Sequence, residues 1–146
     1  MMKHTLFLSA GLLILAACNG AGDEGSESAD TLRADCLTIA NDEEGQEEIA
    51  DIGTDAEGFC DCAESMIAAM PPEDQEKAKA TMNKVATGMT ETGESTEDVV
   101  GKMMGDAMSR PEDTDAQATS EGIRLVGQMI DDIGDGFEDT GSCPAA

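Results

Sequence analysis

Trp and Tyr are absent from this 146-residue chain, and beyond residue 7 its only aromatic side chains are Phe59 and Phe137. No other feature limits the possible folds more. An aromatic side chain buries more area than any other, so a core here has to be assembled from Met, Ile, Val, Leu and Ala. Met is flexible and specifies packing loosely, which makes covalent cross-links valuable. Four cysteines lie in the body of the chain, Cys36, Cys60, Cys62 and Cys143. An even number in an exported domain short of aromatics points to two disulfides. Cys60 and Cys62 are two helical steps of about 100° apart, so they project to nearly opposite sides and seek different partners. The expected bonds run from this pair to Cys36 and to Cys143. Which member takes which partner stays open.

The periodicity is helical throughout, interrupted by Gly and Pro, with no run of alternating β-branched residues. The expected fold is all-α, a small bundle of four to five short helices braced by two disulfides. Leu32, Cys36 and Ile39 share one face of a helix over roughly 30–40. The acidic residues 41–48 are expected as a loop, with a helical turn possible over 47–52. Thr54-Asp55-Ala56-Glu57 matches a capping box opening a helix that stops at Pro71-Pro72. Phe59, Cys62, Met66 and Met70 are its expected stripe. A helix from Pro72 has acids early and Lys77, Lys79 and Lys84 later, the order favoured by the helix dipole, and buries Met82, Val85 and Met89. Ser95-Thr96-Glu97-Asp98 starts the next, with Val99, Val100, Met103, Met104 and Met108 on its apolar side. Thr114-Asp115-Ala116-Gln117 starts the last, where Ile123, Val126, Ile130, Ile133 and Phe137 form the strongest amphipathic pattern. Gly134, Gly136 and Gly141 are expected to loosen the tail.

The N-terminus has the three parts of a secretory signal: Lys3 and His4, an apolar run from Leu6 to Leu15, and the small residues Ala16-Ala17. Leu15-Ala16-Ala17-Cys18 resembles a bacterial lipobox. The resemblance implies a signal peptide over 1–17, cleavage before Cys18, and acylation of the Cys18 sulfur and its new amino group, anchoring the chain in a lipid bilayer. Several acyl chains at one point hold firmly where one chain does not. In enteric members an Asp after the modified Cys favours inner-membrane retention, so Asn19 points to the outer membrane, facing the periplasm. Residues 18–29 are expected to be the lipidated Cys and a flexible acidic tether, with a reach of roughly 20 Å for twelve coil residues. The helical domain is expected over 30–146. The Cys-x-Cys pair with a Cys upstream, across residues 30–70, also resembles small helical envelope lipoproteins of unassigned function, and implies a compact module.

The chain carries 32 acidic against 8 basic residues and a formal charge of −24, one unit more negative once Lys3 leaves with the signal. That field repels phosphate backbones and anionic headgroups, which argues against nucleic-acid binding. The only His is His4, so the mature chain lacks a Ser-His-Asp or Cys-His site and a His-ligated metal centre. The function expected is a non-catalytic, membrane-anchored envelope module that engages another protein, with no cofactor. The alternative is cation or metal binding. Met thioethers are soft Cu(I) ligands, although their positions on apolar faces make core packing the plainer role. The acidic stretch 131–139, counted from Asp131, resembles a calcium loop but has Ile133 at position 3, where an oxygen ligand belongs, and Ser142 at position 12 in place of a bidentate Glu. A third possibility is thiol redox chemistry at Cys60-Asp61-Cys62, which Asp61 disfavours by raising the thiol pKa values.

Overall fold

The computed structural model describes residues 24–145, and side chains over 31–145. The signal segment, Cys18 and the first part of the expected tether lie outside the described residues. Six helices run in order: α1 Glu24–Ala40, α2 Glu43–Asp51, α3 Ala56–Ala69, α4 Pro72–Thr92, α5 Thr96–Ser109 and α6 Thr114–Thr140. No strand occurs among the described residues, and the fold is a small all-α bundle held by two disulfides. The fourth helix runs through the middle, packing on α1, α3, α5 and α6, while α3 also lies against α1 and α6.

The main core gathers Leu32, Cys36, Ala40, Ile49, Phe59, Cys60, Ala63, Ile67, Met82, Met129 and Ile133. A smaller cluster of Val85, Met89 and Val99 lies between α4 and α5. The two are built mainly from the aliphatic and sulfur side chains that a chain poor in aromatics has to use. Gly88 allows the second cluster to close, since a Cβ there would come within 2.8 Å of Val99 Cγ1.

Several local expectations are corrected. The first helix begins at Glu24, so residues 24–29, expected as tether, are helical and the twelve-residue coil estimate no longer applies. Acidic side chains suit the positive end of a helix, and the packed turns beyond Leu32 supply the stability to extend it. Most of the acidic run expected as a loop is α2. One buried side chain, Ile49, pins it, and a Schellman turn ends it: Gly53 sits at φ 84°, with Gly53 N–H donating to Ala50 O and Thr54 N–H to Ile49 O. Instead of capping its own helix, the Asp42 carboxylate accepts from Thr96 N–H at 3.2 Å, tying the start of α2 to the start of α5.

Both expected capping boxes start one residue too early or too late. Asp55, not Thr54, caps α3 by accepting from Gly58 N–H at 2.8 Å, and Asp113, not Thr114, caps α6 by accepting from Ala116 N–H at 2.9 Å. A carboxylate is as good a cap as a hydroxyl and adds a favourable charge at the dipole's positive end. Ser95 does cap α5 as the sequence predicts.

The expected stripes shift because helices here bury more than one face. Cys60, Ala63 and Ile67 are buried on α3 while Met66 and Met70 are only partly covered. On α6 the buried apolar side chains are Ala116, Met129 and Ile133, whereas Ile130 is 40% exposed. On α5 Met108 is 73% exposed. The last helix runs unbroken through Gly134 and Gly136 to Thr140, contrary to the expected loosening. Gly136 provides clearance: a Cβ there would meet Pro144 Cδ at 2.6 Å, because the tail folds back over the helix after Gly141, at φ 68°.

Candidate functional site

The described cysteines are all bridged. Cys36 joins Cys60 with their Cα atoms 5.8 Å apart, and Cys62 joins Cys143 at 5.5 Å. The opposite projection of Cys60 and Cys62 from α3 thus resolves the open pairing, one toward α1 and one toward the tail. Cys36, Cys60 and Cys62 are buried, and the Cys60–Cys62 bond that a Cys-x-Cys redox site uses is not formed. Cys18 lies outside the described residues.

The methionines do not converge. Met82 and Met129 sit in the main core, Met89 in the smaller cluster with Met103 packed on it, and Met66 and Met70 border the main core. Among the described residues no group of three or more His, Cys, Asp or Glu side chains is disposed to hold a metal ion.

The acidic stretch 131–139 forms the last turns of α6, and three of its carboxylates face a groove of about 1240 Å³ between α6 and α2. One wall carries Asp131, Asp135 and Glu138, spaced i, i+4, i+7 along α6. The other carries Glu44, Glu47, Glu48 and Asp51, spaced i, i+3, i+4, i+7 along α2. Each row follows one face of its helix and is roughly 10 Å long at a rise of 1.5 Å per residue. Glu97 and Thr96, at the start of α5, contribute to the lining. Between the rows the groove is apolar, formed by Ile39, Ile49, Ile52, Phe59, Val100 and Ile130.

No basic side chain lines this groove, and none of its carboxylates forms an ion pair among the described residues. Four of the seven described cations pair with acids elsewhere. Arg33 bridges to Asp61, Glu57 and Glu64; Lys77 to Glu73 and Glu121; Lys102 to Glu94; Arg110 to Asp106 and Asp113. The groove's charge is correspondingly unrelieved. Repulsion from Glu97 first, then burial, then repulsion from Asp42, Asp98 and Glu48 hold the Glu44 carboxyl above its ordinary range.

The sequence marks 131–139 by its density of Asp and Glu but not as one wall of a groove, and it gives no sign of the opposing wall, because residues 41–48 are expected as a loop. The signal that finds it is Ile49 followed by Gly53, a buried anchor and a helix stop. Comparison with protein-family models, curated proteins and solved structures finds no match for this chain.

Proposed function

We propose that this chain is a non-catalytic module of the bacterial cell envelope, anchored in the outer membrane through acylated Cys18, that engages another protein through the groove between α2 and α6. The supporting observation is that groove, in which Ile130 is exposed and Ile39, Ile52 and Val100 are partly exposed between two rows of carboxylates that form no ion pair among the described residues. Exposed apolar surface rimmed by polar residues is characteristic of interaction sites. Among the described residues no helix is long and apolar enough to cross a membrane, so the proposed attachment rests on the lipobox.

Mass spectrometry of the N-terminal peptide from envelopes tests the anchor. The expected peptide begins at Cys18 and carries diacylglyceryl and an amide-linked acyl chain, and Cys18→Ser abolishes both. A peptide that keeps residues 1–17, or begins at an unmodified Cys18, would refute it. Photo-crosslinkers placed at Ile130 and Glu47 are expected to capture a defined partner in intact cells, while one at Met108, on a different helix, is not.

A second possibility rests on the same carboxylates, which favour cation accumulation. Calorimetric titration with Ca²⁺ checks it. Binding tighter than about millimolar, lost on Asp135→Asn, would support a cation site.

A further inference from the structure

The charge and shape of the groove restrict what fits it, given the proposal that it engages a protein. An extended peptide gains little there, because the walls are helices whose backbone groups are already bonded along their own axes and offer no ladder for strand addition. A helix brings its own backbone hydrogen bonds satisfied and presents side chains alone. A second copy of this chain carries the same charge of −24, so acidic walls would face an acidic surface. The apolar floor argues against a small hydrophilic polycation, for which burial of Val100 and Ile130 contributes nothing.

We infer that the groove receives a cationic amphipathic helix from another protein, its apolar side chains seated on Ile52, Val100 and Ile130 and its Lys or Arg side chains directed at the carboxylate rows of α2 and α6. Three independent features agree on this occupant. Ile130 lies in the most regular apolar pattern of the sequence yet remains 40% exposed, leaving apolar surface that no part of the described chain covers. The two acidic rows have helical spacing on both sides, so cations flanking an apolar face find partners on each wall. Third, no described residue supplies an ion-pair partner to these carboxylates. The partner's cations relieve the crowding of Glu44 by Glu97.

The test uses the full chain in zwitterionic detergent and fluorescent synthetic peptides of about 15 residues, long enough to form a helix. One peptide has Leu on one face and Lys on both flanks; one has the same composition scrambled so that no apolar face forms; one has Glu in place of every Lys. The expected result by fluorescence anisotropy is that the amphipathic Lys peptide binds at least about tenfold more tightly than the scrambled one, and that the Glu peptide does not bind. The combined variant Asp131→Asn, Asp135→Asn, Glu138→Gln and the separate variant Ile130→Ser each weaken binding by about tenfold or more. All four positions are exposed, so circular dichroism is expected to show both variants folded as the parent.

Equal binding of the scrambled peptide, displacement by spermine at equal charge concentration, undiminished binding to both variants, or no binding to any peptide would each overturn the inference. Acylated Cys18 with no peptide binding overturns this inference and leaves the anchor standing. Peptide binding by a chain whose Cys18 is never acylated does the reverse.

Discussion

At Gly122 α6 packs closely against α4, and replacing this glycine with Ala sets two effects of opposite sign against each other. In an unobstructed helix interior the exchange stabilises by about 1 kcal/mol, because Ala loses less backbone entropy on folding. Here the added Cβ would overlap Thr81 Oγ1, lie 3.0 Å from the Lys77 carbonyl oxygen and 3.3 Å from Thr81 Cβ. Thr81 is β-branched and buried, so its side chain cannot swing clear, and the carbonyl belongs to a helix backbone that moves only with α4. Overpacking of this kind costs about 1–3 kcal/mol. Because a backbone atom is involved, the upper part of that range applies, and the expected net loss is about 1–2 kcal/mol. With a urea slope of about 2 kcal/mol per molar, the midpoint falls by about 0.5–1 M. Far-ultraviolet circular dichroism is the suitable probe, since the chain has no Trp or Tyr to report by fluorescence. Gly127→Ala, in the same helix with nothing within 4 Å of the new Cβ, is the control and is expected to stabilise. Adding Thr81→Ala to Gly122→Ala is expected to recover at least about 1 kcal/mol relative to additivity. If Gly122→Ala stabilises as much as Gly127→Ala, the close approach of α4 and α6 is wrong.

The remaining predictions concern cross-links, caps and pH. The disulfides close loops with sequence separations of 24 and 81, so the entropy model gives losses of about 3.5 kcal/mol for Cys36→Ala with Cys60→Ala and about 4.5 kcal/mol for Cys62→Ala with Cys143→Ala. Non-reducing urea melts check this, and a loss under about 1 kcal/mol for either pair contradicts it. Asp55→Ala and Asp113→Ala are each expected to cost about 1 kcal/mol, while Thr54→Ala and Thr114→Ala stay within about 0.5; the reverse order would restore the capping boxes. The Glu121 carboxyl, hydrogen-bonded by Lys77, is held below its ordinary value of 4.5, so it contributes stability above that pH and loses it as pH falls through its lower folded value. Glu121→Gln is therefore expected to lower the urea midpoint at neutral pH and to match the parent in strong acid. Glu44 has the opposite sign: its raised folded value favours the protonated form, so stability present below 4.5 is lost as pH rises through that value. Glu44→Gln is expected to raise the neutral midpoint, with the difference fading in acid.

Helix class and the main breaks were legible because they are local. Pro71-Pro72 forbids α3 from continuing, Met70 adopts the extended ψ of 157° that a following Pro imposes, and α4 starts with Pro72 at its first turn. The opposed projection of Cys60 and Cys62 likewise follows from helical geometry alone. The inside face was legible on α4, where Met82, Val85 and Met89 are buried, and only in part on α3, α5 and α6. The last helix shows a regular row through Ile123, Val126, Ile130, Ile133 and Phe137, but periodicity cannot say where a neighbouring helix stops. Ile130 is left 40% exposed in the groove, and half of the candidate site arises from that gap. The other half was hidden by composition, since a run rich in Glu with one Ile looks like a solvated loop until Ile49 meets the core.

The amino-acid sequence alone determined that this chain is helical, that its core has few aromatic rings, that its cysteines join α3 to elements on either side, and that its surface is strongly negative. Each of these follows from residue type and spacing along a single helix or from a simple charge count. Only the tertiary structure decided the glycines and the groove. Gly122 and Gly136, indistinguishable in sequence from flexible points, are clearances for Thr81 and Pro144. The carboxylates of α2 and α6, eighty or more residues apart in the chain, become opposing walls only when both helices pack on the same core. The physical reason is that burial and electrostatic fields depend on distances through space, which local periodicity does not contain.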